Sequence, residues 1–186
     1  MRKTYVRNLT AGCAAFMAAA LIFSAGFSKT AFADEADKTT LVYGSTDYTR
    51  INPAMDEHCE INVLLFDGLT DHDGDNQIIP RLAKSWEYDE ENLTYTFHLE
   101  EGVKWHDGEP FTADDVKFTY EAIMDPANES ENAPDYEDIE SIEVIDEHTV
   151  AFIFLTLIPL FGYMTKPVMP KHLLEGEDWQ TSDFFR

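Results

Sequence analysis

The sequence predicts an α/β chain behind an export leader, and three observations predict it. Leu93 to Leu99 alternates apolar and polar residues over a strand's length. A helix-spaced apolar set, Val116, Thr119, Tyr120, Ile123 and Met124, follows a loop punctuated by glycine and proline. An apolar run near the N-terminus lies between basic residues and a small-residue pair. The first two periods, two and 3.6, are those of a half-buried strand and an amphipathic helix.

The leader has three parts. Arg2, Lys3 and Arg7 make a positive region, Ala11 to Phe27 an apolar core, and Ala31-Phe32-Ala33 a cleavage site with small residues at both recognised positions. Cleavage is expected after Ala33, dividing the chain into a signal peptide, 1–33, and a mature part, 34–186. The apolar core is short against the roughly 20 residues of a bilayer span, and Ser24, Gly26, Ser28 and Lys29 dilute its end, so no stable membrane anchor is expected. Cys13 follows Ala11-Gly12, but Thr10 stands where a lipobox needs an aliphatic residue and the apolar core lies after the cysteine. Lipidation is therefore not expected. Cys59 remains as the single mature cysteine, which precludes an internal disulfide.

Charge narrows the partners. Without Arg2, Lys3, Arg7 and Lys29, the 13 basic residues fall to 9 against 36 acidic ones, a net charge of −27. Such a surface repels phosphate backbones and anionic membranes and favours cations. Nucleic-acid binding is excluded on this ground. The 153 mature residues suffice for a domain with a core.

Along the mature chain, Thr40 to Tyr43 reads as a first strand and Asp47 to Pro53 as a loop closed by proline. Asp56 to Phe66 reads as a helix ended by Gly68. Leu69 to Asp75 reads as an acidic turn, and Ala83 to Glu87 as a short element. Asp89 to Asn92 is a turn before the strand Leu93–Leu99. Glu101 to Pro110 is a strand or loop broken by Gly102 and Gly108. Thr112 caps the next helix, with Asp115 three residues on as a near capping box, and Asp125-Pro126 stops it. Asn128 to Glu137 reads as a surface loop. Ser141–Ile145 and Thr149–Phe154 read as two strands around a turn at Asp146-Glu147-His148. Pro159, Pro167 and Pro170 break up the rest.

Several constellations bear on chemistry. Asp71-His72-Asp73-Gly74-Asp75-Asn76 hints at a calcium loop, but the sixth and twelfth positions hold Asn76 and Leu82 where the EF-hand needs Gly and Glu. It reads as an acidic surface turn. No P-loop, zinc-spaced Cys/His set or nucleophile elbow is present, no cofactor is called for, and the chain reads as a non-enzyme. Glu57-His58-Cys59-Glu60 gathers carboxylate, imidazole and thiol at a helix start. Those groups suit nickel, yet neighbouring side chains on a helix point apart, so an exposed helix start is the competing reading.

From Pro80 the sequence takes on a family pattern. Pro80-Arg81-Leu82-Ala83-Lys84-Ser85-Trp86-Glu87, Leu93-Thr94-Tyr95-Thr96-Phe97-His98-Leu99, the run Gly102 to Val116 and Pro170-Lys171-His172-Leu173-Leu174 together resemble the extracellular solute-binding proteins of family 5, the peptide/nickel type. The resemblance implies a type II periplasmic-binding-protein-like α/β fold of two lobes that close on a ligand by a hinge. Members are longer than this chain, so an incomplete lobe, with the second lobe absent, is expected.

The resemblance also implies an extracytoplasmic binding component of an ABC importer, exported to the periplasm, with a permease and ATPase complex as partners. Oligopeptide is the first expectation for the ligand. Nickel or a nickel chelate is the alternative, and a secreted hydrolase the rival of another class. The candidate ligand-binding residues are Tyr48, Glu57, His58 and Tyr136, with His58 the metal ligand under the nickel alternative only. Trp86, Trp105 and His106 are read as scaffold.

Overall fold

The computed structural model describes residues 51–55, 62–157 and 164–185. The expected leader and first strand, Tyr48, Glu57, His58 and Cys59 lie outside the described residues.

The first described helix, α1, is Asn62–Leu65, the last turn of the helix expected over Asp56 to Phe66. Its successor corrects the sequence reading. Thr70–His72 (β1) and Ile78–Pro80 (β2) pair antiparallel, so the stretch read as a turn alone is a small hairpin. The acidic residues occupy its tip, where Oδ1 of Asp73 accepts the N–H groups of Asp75 and Gln77, each at 2.9 Å. That self-bonding suits a turn and competes with any other use of the carboxylate.

The main sheet has four antiparallel strands in the order β3-β4-β6-β5. They are Ala83–Asp89 (β3), Thr94–Leu99 (β4), Ile139–Asp146 (β5) and Thr149–Phe154 (β6). In β4 the expected alternation is met: Tyr95, Phe97 and Leu99 are buried and Thr94, Thr96 and His98 are half-buried. Register sets Phe97 opposite Val150 and Tyr95 opposite Phe152, which brings the apolar sets of two strands onto one face.

Helix Ala113–Met124 (α2) covers that face with Val116, Tyr120 and Ile123, all fully buried. Its Tyr120 ring meets Phe152 edge-on at 5.0 Å, and Phe152 meets Phe97 at 5.6 Å. Burying each of these side chains contributes about 2–3 kcal/mol. A satellite cluster joins the outer side of α2 to the C-terminal segment: Phe118 lies 5.4 Å from Trp179, which lies 5.9 Å from Phe185.

The loop between β4 and α2 holds no strand, only an isolated bridge from Lys104 to Pro110. Gly102 and Gly108 adopt φ of 76° and 97°, the left-handed region that glycine enters without cost from a Cβ, as the two turns demand. A four-residue helix, Lys171–Leu174 (α3), follows Pro170.

Asn128 to Glu137 corrects a second expectation. It is not simply a surface loop, since Ser130, Asn132 and Tyr136 are buried within it. Their side chains turn inward because they hold another segment of backbone.

Candidate functional site

That segment is 51–55, which leads directly toward Glu57 and His58. Without strand or helix of its own, its carbonyls need partners from side chains. The hydroxyl of Ser130 donates to the carbonyl of Ala54 at 2.7 Å. The amide of Asn132, with no exposed surface, donates from Nδ2 to the carbonyls of Ala54 and Pro53 at 3.2 and 3.4 Å. Backbone completes the hold: the Glu131 N–H donates to the Met55 carbonyl at 3.0 Å, and Ile51 N–H to the Phe185 carbonyl at 3.1 Å. Asn52 Nδ2 donates to the Trp179 carbonyl at 2.8 Å.

With both Nδ2 bonds of Asn132 committed, its Oδ1 faces the other way and accepts from the Lys166 ammonium. Residues 51–55, 130–132, 166 and 179–185 therefore meet in one polar knot.

Tyr136 stands beside this knot. It is 1% exposed, with its ring edge-on to Tyr120 at 5.2 Å. Its outer edge borders a shallow recess of about 500 Å³ lined by Met124, Ser130, Pro134, Glu137 and Ile139. Of the four candidate contacts, Tyr136 is thus the one described, and it is largely a core residue with one edge at a recess. The structure also brings its loop against the residues that precede Glu57 and His58.

A second node organises the family-like run. Asp115, 4% exposed, accepts three N–H groups: Thr112 N–H at 2.9 Å and Trp105 Nε1 at 3.3 Å on Oδ2, and Lys171 N–H at 2.9 Å on Oδ1. The Thr112 bond is the expected capping contact. The other two give Trp105 a structural role and fasten α3 to the start of α2. Nearby, the His172 ring N–H lies 2.7 Å from Asp107. That bond, helped by the Glu109 N–H, holds the Asp107 carboxyl below its ordinary value. Trp86 packs against Phe97 at 6.3 Å, while His106 is exposed at the rim of a pocket of about 130 Å³ between Leu82, Phe111 and Val168.

Among the described residues no group of three or more His, Cys, Asp or Glu side chains is placed to hold a metal ion. Burial pushes the Tyr120 hydroxyl pKa up, and the hydroxyl has no partner in the core.

The strands β3 to β6, α2 and α3 all fall within residues 77–185, which match the family model for bacterial extracellular solute-binding proteins, family 5, middle part. The chain belongs to this family. The periplasmic alpha-galactoside-binding protein of Rhizobium meliloti is 37% identical over 110 residues, 54% of this chain and 16% of the relative. NikZ from Campylobacter jejuni, solved in complex with Ni(L-His), superposes with a TM-score of 0.71 at 41% identity, covering 74% of this chain and 28% of NikZ. The oligopeptide-binding protein AppA from Bacillus subtilis, solved with a nonapeptide, gives a TM-score of 0.69 at 26% identity, covering 75% of this chain and 30% of AppA. The chain therefore spans less than a third of each of these proteins. Their type II solute-binding fold is the one the sequence predicts. Among the described residues no helix is long and apolar enough to cross a membrane.

Sequence reasoning missed Ser130, Asn132, Lys166 and the reach of Asp115 to Lys171. The signals available were a loop with a hydroxyl and an amide residue two positions apart, Ser130 and Asn132, and an acidic residue at the third helical position.

Proposed function

We propose that this chain belongs to the extracytoplasmic substrate-binding component of an ABC importer and takes part in binding oligopeptides for uptake. The observation that carries the reading is the family-5 match across residues 77–185, seen folded as a sheet, a covering helix and the Asp115 node. Such a protein delivers its ligand to a permease and ATPase complex and performs no chemistry on it. The leader supports export, with cleavage after Ala33. N-terminal sequencing of the secreted protein should begin at Asp34, and a chain retaining Met1 refutes cleavage.

A peptide ligand suits a cleft that bonds extended backbone and asks little of individual side chains. Titration calorimetry of the purified protein with tripeptides, with nickel, and with nickel plus histidine tests this. Peptide binding without turnover is expected. Hydrolysis of the peptides would show an enzyme instead. The nickel reading is favoured by the likeness to NikZ. It stands if nickel–histidine binds, peptides do not, and His58→Ala abolishes binding.

A further inference from the structure

We propose that Asp73 is a self-modification site, at which the chain rearranges to isoaspartate through a cyclic imide formed with the Gly74 nitrogen. The inference goes beyond solute binding and does not depend on it.

An aspartate followed by glycine is open to this reaction because no side chain shields the glycine nitrogen. The chain holds three such pairs, Asp67-Gly68, Asp73-Gly74 and Asp107-Gly108. In the sequence the three are equal. In the fold they are not.

Asp73-Gly74 lies at the exposed tip of the β1–β2 hairpin. Oδ1 of Asp73 accepts the N–H groups of Asp75 and Gln77, each at 2.9 Å. The bond to Asp75 closes a ring through Cγ, Cβ, Cα and the carbonyl carbon of Asp73 and the nitrogen of Gly74. Those are the ring atoms of the imide, already curled toward closure. Two N–H donors on one oxygen also stabilise the negative charge that gathers there when Cγ is attacked. The self-bonding that keeps this carboxylate from a ligand thus prepares it for its own chain. Among the described residues neither Oδ2 nor the Gly74 N–H has a partner, so one can leave and the other can attack.

The other two pairs are restrained. Gly68 is buried, with its own carbonyl bonded to the Leu82 N–H at 3.1 Å and that of Asp67 to the Val168 N–H at 2.9 Å. The Asp67 carboxylate faces Arg81 at 3.4 Å. At Asp107 the departing oxygen, Oδ2, is tied to the His172 ring at 2.7 Å. The nitrogen that would attack it is tied too, since the Gly108 N–H donates to the Trp105 carbonyl at 2.9 Å.

The Gly74 nitrogen bonds to Cγ of the protonated carboxyl. The Cγ–Oδ2 bond breaks, and Oδ2 departs as water with its own proton and the one lost from nitrogen. Water then reopens the ring. Entry at the main-chain carbonyl leaves the chain running through Cβ and Cγ, which is isoaspartate. Entry at Cγ restores aspartate. The isoaspartate form lengthens the turn and takes away the Oδ1 acceptor, so a hairpin of three residue pairs loses the bonds that close it.

The test is ageing of the purified full chain in warm neutral buffer, followed by peptide mapping with an isoaspartyl methyltransferase, which labels the rearranged residue. Label is expected to accumulate at residue 73 and to exceed that at 67 and 107 several-fold. Gly74→Ala should slow it several-fold, and the variant keeps the fold because a Cβ there meets nothing within 4 Å. Asp73→Glu, which needs a larger ring, should lose the label. In urea the three pairs should label alike. No label at residue 73, or equal label at all three in the folded chain, overturns the proposal. A preference for residue 73 that persists undiminished in urea also overturns it, since the fold is then not its source.

Discussion

The carboxylate of Asp115 and the backbone N–H of Lys171 meet at 2.9 Å across a separation of 56 residues. One buried side chain thereby closes the start of α2, fixes the Trp105 indole and docks α3.

Asp115→Asn keeps the shape but puts an NH₂ group where an oxygen accepted N–H hydrogen bonds. It should lower stability by about 2–4 kcal/mol, because hydrogen bonds to a charged acceptor contribute about 1.5–3 kcal/mol and a buried donor is left facing a donor. Urea denaturation of the purified chain measures it. A loss of under about 0.5 kcal/mol, the range of ordinary surface changes, would show that the node is incidental.

Thr119 is a smaller fastener of the same kind. Its hydroxyl donates to the Asp115 carbonyl at 2.8 Å and accepts the Met169 N–H at 2.8 Å, with no exposed surface. Thr119→Val is nearly isosteric and leaves the Met169 N–H unsatisfied, at a cost of about 1–3 kcal/mol. Thr119→Ser should keep most of the stability. Hydrogen exchange at the Met169 amide should accelerate in the valine variant alone.

Gly68 is constrained by space. A Cβ there would lie 2.6 Å from both the carbonyl carbon and the oxygen of Thr165. Those atoms are backbone, so they yield only if the segment that carries them moves. Gly68→Ala should destabilise by about 1–3 kcal/mol, as overpacking does. A melting temperature equal to the wild type's would show that the two segments separate readily.

Acid should loosen the contact between Asp107 and His172. Asp107 is held below its ordinary value of 3.8, first by the His172 hydrogen bond and then by the Glu109 N–H. A lowered folded pKa means this contribution is whole above the unfolded value and disappears as pH falls through the folded one. The difference in melting temperature between wild type and Asp107→Asn should therefore be present above the ordinary value of 3.8 and fade as the pH falls below it through the lowered folded value. Comparing the two proteins at each pH cancels the general relief of charge repulsion in so acidic a chain. A difference that persists undiminished at the acid end refutes the assignment.

Much of this was legible in the residues. Thr94 to Leu99 alternates because a strand's side chains point to opposite faces, and Phe97 and Leu99 are buried as that pattern requires. Val116, Tyr120 and Ile123 recur at the helical period and all three meet the core. Gly102 and Gly108 mark turns with positive φ. The hairpin at Thr70 was hidden because three-residue strands carry no periodicity.

The candidate site was less legible. The sequence placed Tyr136 on a loop, and the fold put its ring against Tyr120. Composition made Asn132 an ordinary polar loop residue.

The sequence by itself determined the acidity, the strand Thr94–Leu99, the helix Ala113–Met124 and the family pattern, since these depend on local spacing and on residue identity. Tertiary structure alone decided that Asp115 reaches Lys171, that Asn132 holds the carbonyls of Pro53 and Ala54, and that Lys166 donates to the Asn132 amide oxygen. The physical reason is that each of these is a bond between segments far apart in the chain. Local periodicity tells which face of an element is buried. It does not tell which distant donor arrives there, because that follows from how the whole backbone closes on itself.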